Sequence, residues 1–93
     1  MKIIELTFED GEVWQIPLDI IANHRADYYQ SKGEPDFNYE EEVAFVMNDD
    51  YEGQDWLQNN MDYEDFKDYV TIIPNTKPQT KDWINAESEI KEE

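Results

Sequence analysis

Apolar and polar residues alternate through residues 2–8, with Ile4, Leu6 and Phe8 on one face and Ile3, Glu5 and Thr7 on the other. This is the period-two pattern of a half-buried strand. Glu9-Asp10-Gly11 follows as a turn, and two registers are open for the returning strand. A loop of Asp10-Gly11 alone would pair Phe8 with Val13 and bring Gln15 onto the face that holds Leu6 and Phe8. A three-residue loop with Gly11 in the left-handed conformation pairs Leu6 with Trp14 and Ile4 with Ile16, giving one continuous apolar face. The second register is preferred, and Pro17 ends the hairpin.

Beyond Pro17 the period changes. Leu18, Ile21, Ala22, Ala26, Tyr28 and Tyr29 recur at steps of three and four, which predicts a helix over 20–32 lying on the hairpin's apolar face, capped by Asp19 and stopped by Gly33. After Gly33-Glu34-Pro35, Asn38 and Glu41 have the spacing of a capping box. They open a helix over 39–48 with Tyr39, Val43, Val46 and Met47 inward, and with Glu40, Glu41 and Glu42 in the first turn, where the helix dipole favours negative charge. A short helix over 52–60 turns Trp56 and Leu57 inward, with Gly53 as its weak point, and Asp62 with Asp65 caps one more turn through Tyr63 and Phe66. Residues 70–73 are β-branched and bounded by Pro74, so they read as a third strand beside the hairpin. A linker over 75–80 containing Pro78 leads to a closing helix over 82–91, with Trp83, Ala86 and Ile90 along one side and Glu92 and Glu93 fraying. The expectation is an α+β fold: an N-terminal β-hairpin and a third short antiparallel strand packed against three or four helices. Residues 1–75 form the compact domain and 76–93 the linker and C-terminal helix; 93 residues allow one modest core.

Charge changes this picture. The chain carries 24 acidic residues against 7 Lys and Arg, a formal net charge of −17. Residues 34–68 hold 13 of the acidic residues and only Lys67 in return, which leaves −12 in this stretch. The same stretch contains Phe37, Val43, Phe45, Val46, Met47, Trp56, Leu57 and Phe66, so it folds with a negative outer surface instead of remaining a solvated tail. Nucleic acid and anionic lipid would be repelled as direct ligands. The chain has no cysteine, so disulfides and thiolate metal sites are excluded and a reducing cytoplasm is the expected compartment. No apolar run approaches the roughly 20 residues of a membrane span, and Glu5 interrupts any signal-peptide pattern at the start.

Catalytic chemistry finds little footing. Residues 48–53 place oxygen ligands at positions 1, 3 and 5 and glycine at position 6 of a calcium loop, but Asp55 stands where an apolar residue belongs and Asn59 where a bidentate Glu belongs. His24 is the only histidine, and neither Ser31 nor Ser88 has a recognisable nucleophile setting. His24 is expected on the helix rim, and Arg25 in an ion pair with Asp27 or an acidic residue of the middle segment. Carboxylate pairs are so numerous that none is singled out as an acid-base pair. No enzyme activity, cofactor or metal is expected.

The expected function is binding. Helix-borne carboxylates lie roughly 5 to 6 Å from their neighbours, a spacing comparable to that of phosphates along a strand. Glu40, Glu41, Glu42, Asp49, Asp50, Glu52, Asp55, Glu64 and Asp65 can therefore meet Lys and Arg of a basic partner protein, in one form by imitating nucleic acid toward a nucleic-acid-binding protein or enzyme. Trp56, Tyr51 and Tyr63 lie among these carboxylates, and aromatics set among charges are what protein interfaces favour. The alternative is an accessory protein whose aromatic surface makes the contacts without charge mimicry. With Leu6-Thr7-Phe8-Glu9-Asp10-Gly11, Trp14-Gln15-Ile16-Pro17, Arg25-Ala26-Asp27-Tyr28-Tyr29, Asn60-Met61-Asp62-Tyr63-Glu64-Asp65 and Trp83-Ile84-Asn85-Ala86-Glu87, the chain resembles small acidic proteins encoded by bacteriophages and prophages. That resemblance implies a mobile-element origin and a site of action in the bacterial cytoplasm, and it assigns no activity or site residue.

Overall fold

The computed structural model describes residues 1–49, 51–73 and 83–93. Strand β1 (Lys2–Thr7) and strand β2 (Val13–Pro17) form the hairpin. Leu6 faces Trp14 and Ile4 faces Ile16, the register of the three-residue loop. Gly11 has φ of 89°, and the Phe8 N–H donates to the Glu12 carbonyl at 2.9 Å, so one left-handed residue carries the turn. Strand β3 (Thr71–Ile73) adds to β2, as expected for residues 70–73.

The closing helix expected over 82–91 is instead a strand, β4 (Glu87–Glu92), paired antiparallel with β1 along its whole length. Ala86 and Ile90 fit a helical stripe, but Ala86, Ser88 and Ile90 fit an alternating one equally well, and these three are half-buried while Glu87 and Glu89 are exposed. Tertiary structure decides between the two: β1 needs a partner on the side away from β2, and Lys91 Nζ reaches Glu5 Oε1 on β1 at 2.8 Å. The sheet therefore has four strands in the order β3-β2-β1-β4, and the domain does not end at residue 75. The expected linker over 75–80 lies outside the described residues.

Helix α1 (Leu18–Ser31) starts directly after Pro17, two residues before the expected start, and Asp19 lies in its first turn instead of capping it. Pro17 already has φ of −57°, which suits helix entry, and the fully buried Leu18 ties the first turn to the sheet. Gly33, with φ of 71°, ends the helix as expected. Helix α2 (Tyr39–Asn48) is capped by the Asn38 side chain, which accepts from the Glu41 N–H at 3.0 Å. At its other end Lys2 Nζ donates to the Met47 carbonyl at 2.8 Å, a cation placed where the helix dipole is negative. Helix α3 (Glu52–Asn60) and the single turn α4 (Tyr63–Phe66) complete the set, the latter with the Asp62–Asp65 capping box. Ile4, Leu6, Trp14 and Ile16 of the sheet pack with Leu18, Ile21 and Ala22 of α1, Val46 of α2, Trp56 and Leu57 of α3, and Met61, Phe66 and Trp83 in one core.

At Gly53, the expected weak point of α3, the helix backbone lies directly against its neighbours. A Cβ placed there would stand 2.6 Å from Leu18 Cδ1 and 3.6 Å from both Ile4 Cδ1 and Val46 Cγ1. Leu18 has no solvent to turn toward. Gly53→Val is therefore expected to lower stability by about 2 kcal/mol, read as a lower urea midpoint with an unchanged slope. An unchanged midpoint would show that α3 is not held this closely against α1.

Candidate partner-binding face

Arg25 of α1 organises the acidic surface from within. Its Nη1 donates to Glu52 Oε2 of α3 at 2.7 Å, and its Nε lies 2.8 Å from Glu42 Oε1 of α2. The Nε–H is not aimed along that second line and has no hydrogen-bond partner, so Glu42 contributes as a nearby charge. The guanidinium also stacks within 5.2 to 5.6 Å of the Phe45, Tyr29 and Trp56 ring centres, contacts that suit a planar, weakly hydrated cation. Burial alone would lower its pKa, but the Glu52 hydrogen bond and the Glu42 and Glu52 charges raise it above the ordinary arginine value. The ion pair expected of Arg25 thus forms with the middle segment. Asp27 instead accepts from the Tyr39 hydroxyl at 3.0 Å, which joins α2 to α1.

This arrangement divides the carboxylates expected to face a partner. Glu42 and Glu52 are turned inward onto Arg25. Asp49 Oδ1 accepts from the N–H groups of Glu52 at 2.9 Å and Tyr51 at 2.7 Å, which ties down the chain entering α3 and holds the Asp49 carboxyl below the usual carboxylate range. Asp55 accepts from Asn59 Nδ2 at 3.0 Å. Asp65 accepts from the Asp62 N–H at 2.8 Å in the α4 cap and lies 3.6 Å from His24 Nε2. Glu64 pairs with Lys67 at 2.6 Å. Asp50 lies outside the described residues. Trp56 is 6% exposed and donates its Nε1–H to His24 Nδ1 at 2.9 Å, so it is a core anchor and not a surface aromatic. Tyr63 is likewise half-buried, against Trp14 and Phe66. Residues 52–59 of the would-be calcium loop are helical.

Four of the expected carboxylates are exposed among the described residues, Glu40, Glu41, Glu64 and Asp65, and the last two have the partners just named. Glu40 and Glu41 are exposed in the first turn of α2, with no cationic partner for either side chain among the described residues. The outward stripe of this helix continues through Ala44, Phe45 and Asn48, all exposed. Phe45 is 47% exposed, and with Arg25 against its ring it is an ordered aromatic presented to solvent. It was not among the expected site residues. Its signal was an apolar side chain outside the Tyr39, Val43, Val46 and Met47 stripe of an amphipathic helix. Tyr51, which precedes α3, is 64% exposed, and its hydroxyl lies 3.5 Å from Asp55 Oδ1.

A cleft of about 620 Å³ between the hairpin turn and residues 85–87 is lined by Thr7, Phe8, Glu9, Asp10, Asn85, Ala86 and Glu87, and it includes none of these residues. Among the described residues no helix is long and apolar enough to cross a membrane, and no group of three or more His, Cys, Asp or Glu is placed to hold a metal ion. No protein-family model matches the chain, and no curated protein or solved structure matches it either.

Proposed function

We propose that this protein is a non-enzymatic acidic binding protein that engages a basic partner protein through the outer face of α2 and the start of α3. The observation that carries this reading is the pairing of two exposed carboxylates, Glu40 and Glu41, which have no cationic partner among the described residues, with the exposed Phe45 on the outward side of the same helix. Charge steers a basic surface toward such a face, and an aromatic held in place from behind adds contact area at little entropic cost. Commitment of Glu42, Asp49, Glu52 and Asp65 to internal partners favours a compact acidic-aromatic patch over an extended imitation of a nucleic-acid backbone. A bacterial protein that handles DNA or RNA, and so carries a basic surface, is the partner class that the resemblance to phage proteins supports.

The second reading, in which aromatics lead and charge is incidental, draws support from the exposure of Phe45 and Tyr51. Salt separates the two. The immobilised protein is expected to retain its partner from bacterial lysate at about 50 mM salt and to lose most of it by about 300 mM, as attraction between exposed charges is screened. Retention that does not change over this range would overturn the charge-led reading in favour of the aromatic one.

A further inference from the structure

The β4 edge of the sheet has a backbone pattern and a charge pattern that fit the same occupant. The Glu93 N–H donates to the Met1 carbonyl at 2.8 Å, and the ladder runs from Lys2 opposite Glu92 to Thr7 opposite Glu87. An antiparallel ladder alternates, so the backbone groups of Glu87, Glu89 and Lys91 turn toward β1, and those of Ser88, Ile90 and Glu92 turn away from it. The sheet order ends at β4. Among the described residues, no strand meets these outward groups, and such an edge is a template for another strand.

Side chains choose the strand. On the outer face Glu89 stands directly opposite Glu5, a like-charge pair that disfavours the ladder; Lys91 is ion-paired to Glu5 at 2.8 Å, and Glu89 has no ion pair among the described residues. We infer that β4 pairs antiparallel with β4 of a second copy of this chain, Ile90 opposite Ile90, joining two four-stranded sheets into one. The outward residues Ser88, Ile90 and Glu92 then meet outward residues of the other copy, as the ladder requires. In this register Lys91 of each copy lies opposite Glu89 of the other, which gives Glu89 a cation directly across the new ladder. A slip of two residues one way sets Glu89 opposite Glu89, and a slip the other way sets Lys91 opposite Lys91. Glu87 opposite Glu93 is the unfavourable contact of the preferred register, and each copy carries a net charge of −17. The dimer is therefore weak and strengthened by salt, opposite in sign to the capture of a basic partner, and it uses no residue of the α2–α3 face.

Sedimentation equilibrium of the full chain at about 0.5 M salt, where the screening length is a few ångström, tests the inference. The wild-type chain is expected to dimerise at sub-millimolar concentration. Glu89→Lys and Lys91→Glu each place like charges opposite one another twice, so each variant alone is expected to lose about tenfold or more in affinity. An equimolar mixture of the two restores complementary pairs at both positions and is expected to form the mixed dimer. A wild-type chain that stays monomeric, or variants that dimerise as the wild type does, would overturn the inference. So would a mixture no tighter than its components when circular dichroism shows both variants folded. If Lys91→Glu fails to fold, Glu89→Lys decides alone, because it keeps the Lys91–Glu5 pair and relieves the Glu5–Glu89 opposition.

Discussion

Arg25→Ala is expected to cost about 2 to 4 kcal/mol of stability, because removing the cation leaves Glu42 and Glu52 partly desolvated and facing each other without compensation. The Arg25 side chain is 15% exposed, and those of Glu42 and Glu52 are 22% and 33% exposed, so solvent relieves part of the penalty and the lower half of the range applies. Loss of the ring contacts with Tyr29, Phe45 and Trp56 adds to it. Arg25→Lys is expected to fall in between, since an ammonium keeps the charge between the carboxylates but cannot lie flat between rings. Urea unfolding at low and high salt measures both: the Arg25→Ala deficit shrinks as salt screens the freed carboxylates. A variant as stable as the wild type would show that α1, α2 and α3 are not joined through this residue.

Trp14→Ala is expected to cost about 3 to 5 kcal/mol, the range for deleting a fully buried large aromatic. A chain of this size has roughly 5 to 9 kcal/mol in all, so the variant stands close to unfolded. Trp14 is 1% exposed and lies 5.0 Å from the Phe8 ring, 5.6 Å from Tyr63 and 6.4 Å from Phe66. Tyr63 and Phe66 belong to the four-residue helix α4, which cannot persist without tertiary contacts. Phe66 in turn holds Trp83 at 5.2 Å, and Trp83 leads into β4. The near-ultraviolet circular dichroism of the aromatic cluster should therefore collapse in Trp14→Ala while much of α1 and α2 remains, and Trp14→Phe should lose much less. A fully retained aromatic signal in Trp14→Ala would contradict this packing order.

Elements whose local signals agree were legible in the sequence. The hairpin register followed because the strand alternation and the glycine position favour one pairing, and Gly11 does adopt positive φ. The caps at Asn38 and Asp62 set the starts of α2 and α4. The segment now seen as β4 was misread because Glu and Lys favour helices and Ala86 and Ile90 satisfy both periods; only the vacant side of β1, a long-range fact, distinguishes them. The proposed binding face was half legible. Glu40 and Glu41 point outward, but Glu42 is one turn from the buried Val46 and is drawn toward Arg25. Trp56, read both as an inward residue and as a contact among carboxylates, proved only the former, because Leu57 and Gly53 beside it are buried too. Phe45 was present as an apolar residue off the inner stripe, a mismatch that the helical pattern displays.

The most direct measurement of the account compares two charge reversals of equal size in the capture of a basic partner at low salt. Glu40→Lys with Glu41→Lys, and Glu9→Lys with Glu87→Lys in the cleft beside the hairpin turn, each shift the net charge by four units from −17 to −13. The account predicts that the α2 pair abolishes capture and the cleft pair leaves it nearly unchanged. Equal loss from both pairs would show that overall acidity, and not the face bearing Glu40, Glu41 and Phe45, attracts the partner.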